Sequence, residues 1–90
     1  MRFLVEVRVD LTKMPEFGMK LQKGELNRSL ICSETYCLHD DPAVGYSYWQ
    51  AESRAEFDLV FSEWKPFYSV CKVSEVVSAQ EAMILLRGKF

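Results

Sequence analysis

Residues 53–77 constrain the fold more than any other part of this 90-residue chain. They open with Ser53 and Glu56 in capping-box spacing, continue with an apolar stripe at Phe57, Val60, Phe61 and Trp64, break at Pro66, and finish in an alternating segment over 68–77. In such a box the serine hydroxyl accepts from the N–H of Glu56 while the glutamate side chain reaches back, so two of the donors that a helix start leaves without partners are satisfied. Pro66 then stops the helix, and the period-two pattern that follows marks a strand. A helix that hands its chain directly to a strand predicts an α+β fold with helices on one face of a sheet.

The other segments fit around this unit. Residues 2–10 place Phe3, Val5, Val7 and Val9 on one face and Leu4, Glu6, Arg8 and Asp10 on the other, a strand with one apolar side. Pro15 suits a first helical turn; Met14, Phe17 and Leu21 keep helical spacing, with Glu16 near the start and Lys20 and Lys23 near the end, as the helix dipole prefers. Gly24 ends this short helix, and Gly18 weakens it by about 1 kcal/mol relative to alanine. The link 25–29 shows no periodicity. Residues 30–38 and 44–50 read as two strands joined through the turn residues 39–43, a hairpin. Ser78 and Glu81 repeat the capping box ahead of a stripe at Ala79, Ala82, Met83 and Leu86, so a terminal helix follows. The order β-α-β-β-α-β, then α, is the split βαβ arrangement of a ferredoxin-like sheet, and residues 1–90 are expected to form one domain.

Composition limits what such a domain does. A net charge of −2, with no basic run, argues against nucleic acid. The longest apolar run, 82–86, is far below the roughly 20 residues that cross a bilayer. Three cysteines, Cys32, Cys37 and Cys71, form an odd set without C-x-x-C spacing and no signal-peptide pattern precedes them, which points to reduced thiols in a cytoplasm. Helices on one side leave the second side of the sheet bare, and six phenylalanines, four tyrosines and two tryptophans exceed what one helical layer uses. A second copy packed sheet to sheet would bury several hundred Å² per chain, roughly 10 kcal/mol at about 25 cal/mol per Å² before the costs of association. A homodimer through the sheet face is therefore expected.

Phe3-Leu4-Val5-Glu6-Val7-Arg8-Val9-Asp10-Leu11 resembles the first strand of muconolactone isomerase. The blocks 45–50, Trp64-Lys65-Pro66-Phe67-Tyr68, Val76-Val77 and Glu81-Ala82 are similar to a bacterial and archaeal family of unassigned activity in the dimeric α/β-barrel superfamily. The resemblance covers most of the chain outside 13–31. It implies a homodimer whose two sheets face each other as a barrel, with a pocket inside that barrel or between sheet and helices. Isomerases, cofactor-free monooxygenases, haem-handling enzymes and ligand-sensing modules share this fold, so the fold transfers and the activity does not. Leu4 stands where the isomerase has histidine, and Glu6 and Arg8 reverse the sign of its next two inward charges.

Several residue groups have the chemistry of a site. Glu6 and Arg8 share a strand face, where an arginine fork can hold a carboxylate ligand and a glutamate can act as base; the plainer reading is a cross-strand ion network. His39, beside Asp40 and Asp41, is the lone imidazole able to move a proton near neutrality, although turns gather His and Asp for geometry alone. Haem or oxygen chemistry would require His39 to point into a pocket. Tyr36, Tyr46, Tyr48, Trp49 and Tyr68 suit either a cavity for a flat ligand or a dimer interface. The cysteines read as small core residues more readily than as nucleophiles. No cofactor or metal is called for. The expected function is binding or conversion of a small organic acid or aromatic metabolite, isomerase- or monooxygenase-like, with a non-catalytic interaction or sensing module as the alternative.

Overall fold

The computed structural model describes residues 1–89. Its elements run β1 (Arg2–Val9), a 3-10 turn (Leu11–Lys13), α1 (Met14–Gln22), β2 (Cys32–Cys37), β3 (Val44–Gln50), α2 (Arg54–Phe61), a second 3-10 turn (Lys65–Phe67), β4 (Tyr68–Glu75) and α3 (Ala79–Arg87). The four strands form one antiparallel sheet in the order β2-β3-β1-β4, so the chain has the ferredoxin-like α+β fold its element order predicts.

Strand register sorts the side chains onto two faces, because residues paired across strands point the same way. Val5 pairs with Ser47 and Val73, and Ser47 with Thr35; Phe3 pairs with Trp49, and Val7 with Gly45 and Cys71. These rows lie under the helices. On the open face Glu6 pairs with Tyr46 and Lys72, Tyr46 with Tyr36, Leu4 with Tyr48, and Arg8 with Val70.

The core is aromatic. Phe3, Trp49 and Phe57 are fully buried, and Phe17, Phe61, Trp64 and Phe67 nearly so. Phe57 stands 4.5 Å from Phe3 and 5.2 Å from both Trp49 and Phe61, edge-on to the indole, while Phe17 stacks on Phe67 at 4.8 Å. The helical layer thus uses more of the aromatic supply than composition suggests, and leaves Tyr36, Tyr46 and Tyr48 for the open face.

Both capping boxes form at the serine: Ser53 Oγ accepts from Glu56 N and Ser78 Oγ from Glu81 N, each at 3.1 Å. The return bonds differ. Glu56 accepts from the N–H of Glu52 at 3.0 Å, and Glu81 turns outward to pair with Arg2 at 3.3 Å. α2 ends at Phe61, earlier than the stripe implies, so Trp64 is held by the turn that follows and not by the helix. β2 begins at Cys32, later than expected, because the N–H groups of Ile31 and Cys32 bond back to the carbonyl of Arg28 at 3.1 and 2.8 Å and hold the chain in a turn.

α3 buries none of its residues, and Met83, Ile84 and Leu85 are exposed. The radius of gyration is 15.1 Å, against about 12 Å for a compact chain of this length. Among the described residues no helix is long and apolar enough to cross a membrane.

Candidate functional site: a donor-lined cavity under the first helix

A cavity of about 260 Å³ lies between the sheet and α1. Its floor is built by alternation: Val7 of β1, Gly45 and Ser47 of β3, and Thr35 and Cys37 of β2 all face the helices. Gly45 contributes space, since a Cβ there would stand 3.5 Å from Cys37 Sγ and 3.7 Å from Val7 Cγ2. Phe17 and Leu21 of α1 form one wall, and Trp64 and Tyr68, either side of the Pro66 turn, form another.

Arg28 is the one charged residue of the lining. It sits in the link that lacks periodicity, yet that link is well fixed. Leu26 is buried in the core, Asn27 Oδ1 accepts from both the N–H and the hydroxyl of Ser29 at 3.0 and 2.8 Å, and the Arg28 carbonyl closes the turn into β2. The guanidinium carbon lies 4.1 Å from the ring centre of Trp64 and 5.2 Å from that of Trp49, and Nη2 donates to Thr35 Oγ1 at 2.9 Å. Stacking on two indoles and hydrogen bonds to Thr35 and Tyr68 hold the fork in place. The ion pairs among the described residues are Arg2–Glu81, Arg8–Asp41, His39–Asp40 and Arg54–Asp58, so Arg28 has no carboxylate partner there.

The two indoles differ in one respect. Trp49 Nε1 donates to Ser47 Oγ at 2.7 Å, which leaves the buried serine hydroxyl its own proton to donate. Trp64 is 5% exposed and its Nε1 has no partner, an arrangement that costs about 1–3 kcal/mol. Burial pushes the Tyr68 phenol above its ordinary range, while the charge of Arg28 and a hydrogen bond to it pull the other way. The lining holds no aspartate, glutamate, lysine or histidine. Its polar groups are therefore mainly donors around one unpaired cation. Four clefts are larger: about 530 Å³ between α2 and β4, about 470 Å³ beside α1, and about 380 and 320 Å³ around Leu30 and Ile31; each has a carboxylate in its lining, Asp58, Glu16, Glu52 or Glu56 among them.

The side chains singled out from sequence divide among three places. Glu6, Arg8, Tyr36, Tyr46 and Tyr48 share the open face of the sheet. There Arg8 pairs with Asp41 at 2.7 Å, not with Glu6, and the Glu6 carboxylate raises the pKa of Tyr46. Trp49 and Tyr68 lie on the helix side, Trp49 wholly inside the core and Tyr68 at the cavity. His39 is fully exposed in the hairpin turn, 3.0 Å from Asp40, and points into no pocket of the isolated chain. Cys37 lines the cavity, and all three cysteines are free thiols. Arg28, Thr35, Ser47 and Trp64 were not legible as site residues. The alternation of β3 does separate Tyr48 from Trp49, since neighbours in a strand point to opposite faces.

A solved structure similar to this chain is 5-chloro-2-hydroxyhydroquinone dehydrochlorinase (TftG) from Burkholderia phenoliruptrix AC1100, in complex with 2,5-dihydroxybenzoquinone. The match covers 90% of this chain and 98% of that one, with a TM-score of 0.59 and 12% sequence identity. No family model matches the chain, and no curated protein does. At that identity the likeness is one of fold, and it agrees with the ferredoxin-like architecture read from the strand order.

Proposed function

We propose that this protein binds a single-ring aromatic metabolite in the cavity between the sheet and α1. The observation that carries the reading is the make-up of that cavity: apolar walls from Val7, Phe17 and Leu21 around a few converging donors, the usual composition of a small-molecule site. Size supports one ring. A cavity of about 150 Å³ already admits benzene, so 260 Å³ has room for a ring with small polar substituents. The ligand in the complex of the fold neighbour is also a single substituted ring.

The lining is rich in donors and has no carboxylate or imidazole, which supports binding, as in a ligand-sensing module, ahead of turnover. Conversion of the ligand, isomerase- or monooxygenase-like, would rely on Tyr68 to carry a proton. The working unit we propose is a cytoplasmic homodimer. Leu4, Tyr36 and Val70 leave apolar surface on the open face, and α3 adds Met83, Ile84 and Leu85; free thiols fit a reducing compartment.

Titration with a panel of hydroxylated benzenes and benzoates, followed by tryptophan fluorescence, tests the binding reading. Saturable quenching by at least one single-ring compound below millimolar concentration is expected, and no response across the panel would contradict it. Sedimentation at micromolar concentration tests the dimer, and a monomer alone would remove it.

A further inference from the structure

Resting on the cavity as a ligand site, we propose that its ligand is an aromatic monoacid whose carboxylate sits on the Arg28 guanidinium. Arg28 is the one charged group of the lining, and no carboxylate among the described residues pairs with it. One guanidinium N–H is spent on Thr35 and another reaches the Tyr68 oxygen, and those that remain of its five can donate to a carboxylate.

Charge selects the sign of the ligand. With no acidic side chain in the lining, an anion meets no repulsion, whereas a cationic ring would be set against Arg28. Charge also selects the number of acid groups. Beyond Arg28 the lining offers only the neutral hydroxyls of Thr35, Ser47 and Tyr68 among Val7, Val9, Phe17 and Leu21, so a second carboxylate would lose its water without gaining a charged partner. The guanidinium is held between two indoles before any ligand arrives, so little side-chain freedom remains to be lost on binding.

Benzoate and benzamide, nearly identical in shape, separate this inference from the reading beneath it. On the native protein benzoate is expected to bind about tenfold or more tightly, in line with a hydrogen-bonded charge pair. Arg28→Gln should reduce that preference to about twofold or less, with circular dichroism confirming the fold. Arg54→Gln, which removes an arginine stacked on Phe3 and Phe57 outside the cavity, should leave the preference intact. Equal binding of acid and amide by the native protein would overturn the anion site and leave the cavity standing. A preference that survives Arg28→Gln would also overturn it. Binding of neither compound would overturn both. The native comparison needs no variant, so a poorly folding Arg28→Gln protein does not rescue the proposal.

Discussion

Trp49 and Trp64 offer a matched pair for measuring what the unpartnered indole N–H costs. Both are buried, both lie against Arg28, and in both a change to phenylalanine removes the same atoms. The cavity and transfer penalties of the lost ring therefore largely cancel between the two variants. Trp49→Phe also breaks the 2.7 Å bond to Ser47 and leaves a buried hydroxyl short of a partner, a loss of about 1 kcal/mol. Trp64→Phe removes an N–H that has no partner, a relief of about 1–3 kcal/mol. It also loses the closer guanidinium contact, at 4.1 Å rather than 5.2 Å, worth about 0.5–1 kcal/mol. On balance Trp64→Phe should be the milder change by about 1–3 kcal/mol. Urea unfolding followed by far-UV circular dichroism measures this, at one protein concentration because association adds to apparent stability. If Trp64→Phe costs as much as Trp49→Phe at equal m-values, the indole N–H is satisfied or solvated in the folded protein and the reasoning fails.

Other outcomes follow from the same geometry. Gly45→Ala introduces a methyl at ordinary contact distance from Cys37 and Val7, and Gly24 is the one glycine with positive φ among the described residues; it should raise stability by about 0.4–1 kcal/mol while weakening ligand binding by occupying the cavity floor. Glu6→Gln removes the carboxylate that opposes ionisation of Tyr46, so the phenolate absorbance of Tyr46 should appear at lower pH than in the native protein. For Tyr68 the folded state favours the neutral phenol. Its contribution to stability is therefore complete below the ordinary pKa of 10.0 and is lost as pH rises through the higher folded value, which alkaline unfolding curves would register. Ser53→Ala should cost about 1 kcal/mol of global stability because α2 is packed, whereas Ser78→Ala should leave the unfolding midpoint nearly unchanged and lower hydrogen-exchange protection within α3.

Much of the fold was legible because its signals are local. The two serine caps, the Pro15 start, the alternation in β1 and the turn residues between β2 and β3 each dictate backbone geometry within a few residues, and each element forms where they indicate. The element order then leaves few ways to pair the strands. The site was less legible because it is assembled from distant parts. Arg28 lies in a link whose order comes from an Asn27 side-chain turn and from Leu26 reaching the core, neither of which has a period. Trp64 read as one more stripe residue of α2, and nothing in the sequence reports that its N–H finds no acceptor. The apolar row Phe3, Val5 and Val7 marked the helix side of β1 and left Glu6 and Arg8 to the other face, as the structure has them, but dividing the aromatic group into Tyr36, Tyr46 and Tyr48 on the open face and Trp49 and Tyr68 beneath the helices depends on strand register. Tyr68, singled out for its ring, does reach the cavity, brought there by the Pro66 turn.

The most direct test of the cavity as a ligand site is the indole N–H resonance of Trp64 during titration with benzoate. Two-dimensional ¹⁵N–¹H spectra separate it from that of Trp49, which already has its hydrogen bond to Ser47. The account predicts a saturable shift at Trp64, whose ring walls the cavity and stacks on Arg28, with a much smaller change at Trp49, which lies wholly inside the core. A Trp64 resonance that stays fixed while benzoate binds and perturbs Tyr36, Tyr46 or Tyr48 would place the ligand on the open face of the sheet and contradict it.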